Sequence, residues 1–325
     1  MNLIDLVKYK SIVDQLSLQE PKLAIQALLE QFNNDLNTHN IDFDNFKNSI
    51  SDRQQNIMAE LDMLYQDLDQ FKLKISRTIA SVETPYLTTK SEKIYNEGLD
   101  DDWDYKLDRD RFKNLLYDTD TRDFFLGRVK EHVNWKYPGL QLGPRLGDIT
   151  DHLVALDPLY LVDQHQDMFK VVKQLWSSQY QQRVRYYVND EQKLNVFSIF
   201  SKPTDPLAQL PFNQLGLIVA VDYFNFRPLR LIKQYLAGMS QLLRPGGVAI
   251  FTYNNCDYPI GVDNFLNSYY TYTPGRLVKS ACVEYGFKII SSFDMDNNVS
   301  WLEIKKPGER SSLKGGQSLA AIKHF

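Results

Sequence analysis

The chain has 325 residues, 43% of them hydrophobic and 24% charged, which suffices for a full domain with a sizeable core plus a smaller one and excludes disorder as the default. Its 37 Lys and Arg against 41 Asp and Glu leave a formal net charge of -4, so no global basic excess points to nucleic acid or an anionic membrane. Two cysteines, Cys256 and Cys282, give no disulfide framework and fit a reducing compartment, and no run approaches the ~20 apolar residues of a membrane span.

The first residues carry acids among the apolar positions, unlike a signal peptide, and a cytoplasmic location is expected. Met1 to Glu30 reads as one or two short amphipathic helices, with Pro21 opening the second. From Phe43 the apolar residues Phe46, Ile50, Ile57, Leu61, Leu64, Leu68, Phe71, Ile75 and Val82 follow at alternating spacings of three and four. That is the seam of a coiled coil or a long helical hairpin, and it predicts a partner: the first helices of the same chain, copies of the helix in a homo-oligomer, or another protein. Pro85 is expected to end the pattern. Thr84 to Asp110, with Gly98 and the run Asp100, Asp101, Asp102 and Asp104, reads as a solvated junction, and Arg111 to His132 as a helix.

Pro138 to Asp163 has the order strand, glycine-bearing loop, helix, strand, acid. Leu140 to Leu142 forms the first strand, Gly143 to Gly147 the loop, Ile149, Leu153 and Leu156 one helical face, and Leu159 to Val162 the second strand, closed by Asp163. In a doubly wound sheet such a loop lies at the carboxyl end of its strand, and the acid beside it can accept hydrogen bonds from two ribose hydroxyls. The dinucleotide fingerprint GxGxxG is absent. Gly143, Pro144, Gly147 and Thr150 instead resemble motif I of class I S-adenosylmethionine-dependent methyltransferases. Two departures stand out: Gln141 replaces the usual acid and Arg145 the middle glycine.

The remaining pattern continues in that order. Met168, Val171, Val172 and Leu175 make a helical face, and the third strand is either Val184 to Val188 or Leu194 to Phe200. Leu215 to Val221 is apolar apart from Gly216, as a central parallel strand requires, and the preceding Leu-Pro-Phe resembles the family's lead into strand four. Leu231, Ile232, Tyr235, Leu236, Met239, Leu242 and Leu243 form the next helical face, leading into Arg244-Pro245-Gly246-Gly247, which resembles the turn before the family's fifth strand. Thr273 and Pro274 can open a helix that Gly286 ends, and Phe287 to Phe293 with Val299 to Ile304 reads as an antiparallel pair at the sheet edge. A softer resemblance, in Phe251 to Asp257, Val299 to Glu303 and Lys314 to Gln317, is to methyltransferase-like proteins of marine tailed phages, which would place the chain in host cytoplasm or a virion.

The resemblance implies a seven-stranded class I methyltransferase-like, doubly wound α/β sheet preceded by an α-helical, coiled-coil-like N-terminal domain. The expected division is a helical arm over 1–85, a linker and pre-motif helix over 86–132, the methyltransferase-like domain over 133–306, and a basic tail over 307–325. For the cofactor S-adenosylmethionine it implies contacts from Gln141, Gly143, Gly147, Asp163 and Gln164. On the acceptor side Asp222 and Tyr223 follow strand four, where an acid can orient or deprotonate an acceptor and an aromatic ring can stack on it. Two plainer readings stand beside these: the glycines and Asp163 only shape a fold that has lost its ligand, and Tyr223 and Phe224 only pack. No (D/N/S)PP(Y/F) motif follows strand four, and the five histidines lack metal-ligand spacing. The competing function classes are therefore methyl transfer to an unidentified acceptor and a non-catalytic structural or interaction module.

Overall fold

The computed structural model describes residues 3–15, 44–100, 119–144, 147, 149–164, 166–189, 191, 210–267, 270–294 and 299–308. The chain divides into two compact units, Met1–Thr84 and Pro85–Phe325. In the first, α1 (Leu3–Gln15) buries Leu3, Leu6 and Val7, which share one helical face. The helix read from the apolar spacing is α2 (Asp44–Pro85), 42 residues and so roughly 63 Å long. No helix among the described residues is long and apolar enough to cross a membrane.

Pro85 does not end the helical course. Tyr86–Lys90 forms one π-helical turn, and α3 (Ser91–Asp100) follows it directly, the Ser91 N–H donating to the Tyr86 carbonyl. A proline has no N–H to give, and the bond Pro85 lacks would run back to Ser81, so the widened turn follows the proline without replacing that bond. The expected junction is thus helical as far as Asp100, while Asp101, Asp102 and Asp104 lie outside the described residues.

In the second unit α4 (Thr119–His132) precedes the sheet, and two short helices, α6 (Ser178–Gln181) and α8 (Pro259–Asn267), lie among its connections. The strands are β1 (Gly139–Leu142), β2 (Leu159–Asp163), β3 (Val184–Val188), β4 (Leu215–Ala220), β5 (Leu243–Asn254), β6 (Lys288–Asp294) and β7 (Val299–Lys305), in the order 3-2-1-4-5-7-6. β1 to β5 are parallel neighbours, and β7 runs antiparallel between β5 and the edge strand β6. Val184–Val188 is therefore the third strand, and Leu194 to Phe200 lies outside the described residues.

Side chains alternate across each strand, and both faces are covered. Leu140, Leu142, Ile218, Ala220, Phe251 and Leu302 pack beneath α7 (Leu229–Leu242) and α9 (Gly275–Glu284), which supply Ile232, Tyr235, Leu236, Met239, Val278 and Cys282. Leu159, Leu161, Leu217, Val219, Ile250 and Trp301 face Phe125 and Val129 of α4 and Phe169 and Val172 of α5 (Gln166–Leu175). On that face Phe125 stacks on Trp301 with centroids 4.2 Å apart. Beside the stack lies the buried carboxylate of Glu303 on β7. It accepts Arg128 Nε and Nη2 at 2.7 and 2.6 Å, His132 Nε2 lies at 3.2 Å, and Trp301 Nε1 donates at 2.9 Å.

Three local expectations meet different outcomes. The turn expected before the fifth strand lies inside β5, as an irregularity between Leu243, paired with Leu215, and Val248, paired with Leu217; Gly246 there has φ +77, the left-handed backbone that glycine supplies, and a Cβ on Gly247 would lie 2.7 Å from the Leu215 carbonyl oxygen. The helix expected between the glycine loop and β2 is only a 3-10 turn, Thr150–Leu153. The turn closed by Gly147 N–H on the Pro144 carbonyl uses up the first part of that connection, and Pro158 disfavours helix just before β2. Thr273 does not cap α9, since its hydroxyl donates to the Thr271 carbonyl. The first amides of α9 are satisfied from the loop after β5: Gly275 N–H by Asn255 Oδ1 at 2.9 Å and Arg276 N–H by Asp257 Oδ2 at 2.6 Å. Gly286 does follow the helix with φ +82.

Candidate functional site

The strand order reverses between β1 and β4, and in an open parallel sheet the crevice at the carboxyl ends around such a reversal is where ligands bind. Gly143 leaves β1 at φ +65, its N–H still donating to the Val162 carbonyl at 2.8 Å. Gly147 has φ +89. Arg145, between them, lies outside the described residues, as does His165. Asp163 closes β2 as a buried carboxylate, and Asn189 follows β3 with its N–H on the Asp163 carbonyl at 2.8 Å. Asp222 follows β4 and is a buried non-glycine residue at φ +51, a conformation that costs about 1 kcal/mol or more and has to be held in place. Its N–H donates to Thr252 Oγ1 at 2.6 Å, and its Oδ1 accepts Asn225 Nδ2 at 3.1 Å.

The residues expected to meet a donor are thus gathered at one edge, with different engagements. Gln141 is buried, and its Oε1 accepts the Thr150 hydroxyl at 2.8 Å, so two residues of the motif bind each other. Gln164 Nε2 donates to the Tyr95 hydroxyl at 3.2 Å. Tyr223 lies against the glycine loop: a Cβ on Gly143 would come 2.6 Å from Tyr223 Cδ2. Only glycine permits that approach.

What holds Tyr223 is a polar cluster whose centre, Glu191, the sequence did not single out. The Glu191 carboxylate is fully buried. It accepts the Tyr223 hydroxyl at 2.9 Å and Arg227 Nε at 2.7 Å on Oε1, with the Tyr235 hydroxyl also on Oε1 and the Tyr95 hydroxyl on Oε2. The Arg227 guanidinium lies 3.3 Å from the centroid of the Tyr223 ring and donates to the Tyr223 carbonyl at 2.6 Å. Burial alone would raise the Glu191 carboxyl, but the Arg227 charge and the hydrogen bonds from Tyr235, Tyr95 and Arg227 outweigh it and hold it below the ordinary glutamate value. Burial pushes the Tyr223 phenol well above its usual range, with Arg227 opposing and Glu191 and Asp163 adding to it. Tyr223 therefore stays a neutral hydrogen-bonding group at physiological pH, not a base.

The cluster also explains α3. Tyr95 reaches Glu191 from that helix, Ser91 Oγ accepts the Tyr272 N–H at 3.0 Å, and Glu92 takes both Arg230 donors at 2.9 and 3.0 Å. Tyr86, one turn earlier, packs edge-on against Phe265 with centroids 5.4 Å apart. A helix bonded to groups that follow β2, β3, β4 and β5 covers the carboxyl edge of the sheet. Three buried side-chain amide oxygens at this edge have no partner among the described residues: Asn189 Oδ1, Asn225 Oδ1 and Asn254 Oδ1.

A seven-stranded sheet in the order 3-2-1-4-5-7-6, antiparallel only at β7, is the class I methyltransferase-like, Rossmann-like fold that the motifs implied. No protein-family model and no curated protein matches the chain. Solved structures do show likeness. An S-adenosylmethionine-dependent methyltransferase from Clostridium acetobutylicum is 15% identical, with 62% of this chain and 99% of that one covered and a TM-score of 0.46. The N-methyltransferase NodS from Bradyrhizobium japonicum is 12% identical over 59% and 99%, at 0.42. An S-adenosylmethionine-dependent methyltransferase from Mesorhizobium loti is 12% identical over 52% and 91%, at 0.38. The fold assignment rests on strand order, not on these likenesses.

Proposed function

We propose that the carboxyl edge of this sheet binds the nucleoside of S-adenosylmethionine and that the protein transfers the methyl group to an acceptor held near the end of β4. The observation that carries the reading is the buried Asn189 Oδ1, which has no partner among the described residues, on the residue whose N–H donates to the Asp163 carbonyl. A buried acceptor left unpaired costs roughly 1–3 kcal/mol, and an exocyclic amine is the donor it lacks. Asp163, at the neighbouring strand tip, is the group to accept the ribose hydroxyls. The residues thus fit the adenosine half, with Gly143 and Gly147 keeping the backbone close.

When bound, the sulfonium supplies an already activated methyl group, so the protein's task is orientation. Asp222, held at its strained backbone by Thr252 and Asn225, and Asn225 Oδ1, which has no partner among the described residues, would orient an acceptor through its N–H or O–H groups. Calorimetry with S-adenosylhomocysteine tests the donor site. We expect a dissociation constant on the order of micromolar, weakened at least tenfold, about 1.4 kcal/mol, by Asp163→Ala. Unchanged affinity in that variant would remove Asp163 from the site.

One observation favours a second reading, a non-catalytic module of the same fold. The Tyr223 ring roofs Gly143, where the methionine half would pass, and three side chains, Glu191, Tyr235 and Arg227, fix its hydroxyl and ring there. Under that reading neither S-adenosylmethionine nor S-adenosylhomocysteine gives a binding signal.

A further inference from the structure

The residues proposed to meet the donor lie beneath the chain's own groups: Gln141, Gly143, Gly147, Asp163 and Asn189 are all buried. A site covered in this way has to open before a nucleoside enters it, and α3 is the cover most lightly held. Among its described side chains, positions 91–96, Tyr95 is the only buried hydrophobic one, and Ile94 is half-buried. Single polar contacts fasten the rest, the kind of attachment that marks an element of low local stability. The base of the helix is seated differently. On the π turn Tyr86 meets the rings of Phe265 and Tyr272 with centroids 5.4 and 5.6 Å away, and Lys90 Nζ lies 4.9 Å from the Phe265 centroid. The turn can therefore stay in place while the helix beyond it swings.

Two contacts latch the swinging part. Glu92 and Tyr95, three residues apart, share a face of α3. The Tyr95 hydroxyl donates to Glu191 and accepts Gln164 Nε2 at 3.2 Å, so it joins the segments that follow β3 and β2. Glu92 accepts both Arg230 donors at 2.9 and 3.0 Å, and this pair lies at the solvent margin, its side chains 23 and 43% exposed. The first latch thus engages Gln164, the chain neighbour of Asp163 and one of the groups expected to meet the nucleoside. The phenol stands between the ends of β2 and β3, the place assigned to the adenosine.

We propose that α3 is an autoinhibitory lid: the Tyr95 hydroxyl competes with the donor's nucleoside for Gln164, and the Glu92–Arg230 pair holds the helix shut. The proposal rests on the donor site proposed above. Donor then binds only the open form, and its apparent dissociation constant exceeds the intrinsic one by the inverse of the open fraction. Weakening a latch tightens binding, the opposite of what removing a donor contact does.

Calorimetry on the full chain with S-adenosylhomocysteine reads the difference. Tyr95→Phe and Glu92→Lys should each lower the dissociation constant at least about twofold, the scale of a lost polar contact. Glu92→Lys acts at the solvent margin and reads the effect without disturbing the buried Glu191 cluster. Glu92→Arg combined with Arg230→Glu rebuilds the pair with its charges exchanged and should return the wild-type value. In hydrogen exchange, the α3 amides should exchange faster with saturating S-adenosylhomocysteine than without it. If wild type, Tyr95→Phe and Glu92→Lys all fail to bind, the donor reading falls and the lid with it. Wild-type binding that is unchanged or weakened in either variant, or α3 amides slowed by the ligand, would overturn the lid and leave the donor site standing.

Discussion

Single positions weigh most on stability where a buried group depends on one partner. Glu191 and Arg227 are both buried and share one set of hydrogen bonds, so removing one leaves the other's charge without compensation. Glu191→Ala should therefore cost about 3–5 kcal/mol in urea unfolding, whereas replacing both residues with leucine and methionine should cost clearly less. Equal losses would show that the pair is not coupled. Gly143→Ala probes the same cluster from below. Its Cβ would meet Tyr223 Cδ2 at 2.6 Å from a backbone at φ +65, so a loss of roughly 1–3 kcal/mol is expected. Combining Gly143→Ala with Tyr223→Ala, which removes the clashing ring, should cost less than the sum of the two single changes. Strict additivity would mean that the ring does not rest on the loop.

Among the elements, α4 is fastened to the sheet through one buried acid, and its stability should depend on pH. Burial would raise the Glu303 carboxyl, but hydrogen bonds from His132, Arg128 and Trp301, with the Arg128 charge, bring it down to about 2 from an ordinary 4.5. A depressed carboxyl stabilises the fold above its unfolded value and loses that contribution as the pH falls toward the folded one. The window is thus from about pH 4.5 down to about 2, and the amount is on the order of 3 kcal/mol. The urea midpoint of the wild type should fall between pH 6 and pH 3 by more than that of Glu303→Gln. Parallel falls would locate the acid sensitivity elsewhere. α3 makes a different point about elements: its polar sequence reads as a connector, yet its hydroxyls and carboxylate bind groups that follow four strands.

At the scale of the whole molecule, legibility followed the range of the interactions. Six of the seven strands could be read because each carries its own alternation or apolar run, while the third stayed between Val184 to Val188 and Leu194 to Phe200 and the strand order came from the resemblance; the glycine pair at the start of β5 could be read because Gly246 and Gly247 answer to backbone conformation and close approach within a few residues. Glu191 could not be read, since its partners Arg227, Tyr235 and Tyr95 lie 36, 44 and 96 positions away and no period links them. Tyr235 was visible only as one apolar position on α7, because its ring packs in the core while its hydroxyl serves the cluster. The continuation of the helix past Pro85 was hidden because a proline usually ends a helix, whereas here Pro85 keeps helical backbone angles, φ -61 and ψ -34. Asp163 and Gly143 were legible as members of a motif, but the ring resting on Gly143 was not.

The central claim is that the ends of β1, β2 and β3 grip an adenosine, and a crystal structure of the protein saturated with S-adenosylhomocysteine tests it most directly. The account predicts ribose hydroxyls within hydrogen-bonding distance of the Asp163 carboxylate, the adenine amine on Asn189 Oδ1, and the Tyr223 ring displaced from Gly143. An empty edge at saturating ligand, with Tyr223 still seated on the glycine loop, would contradict it.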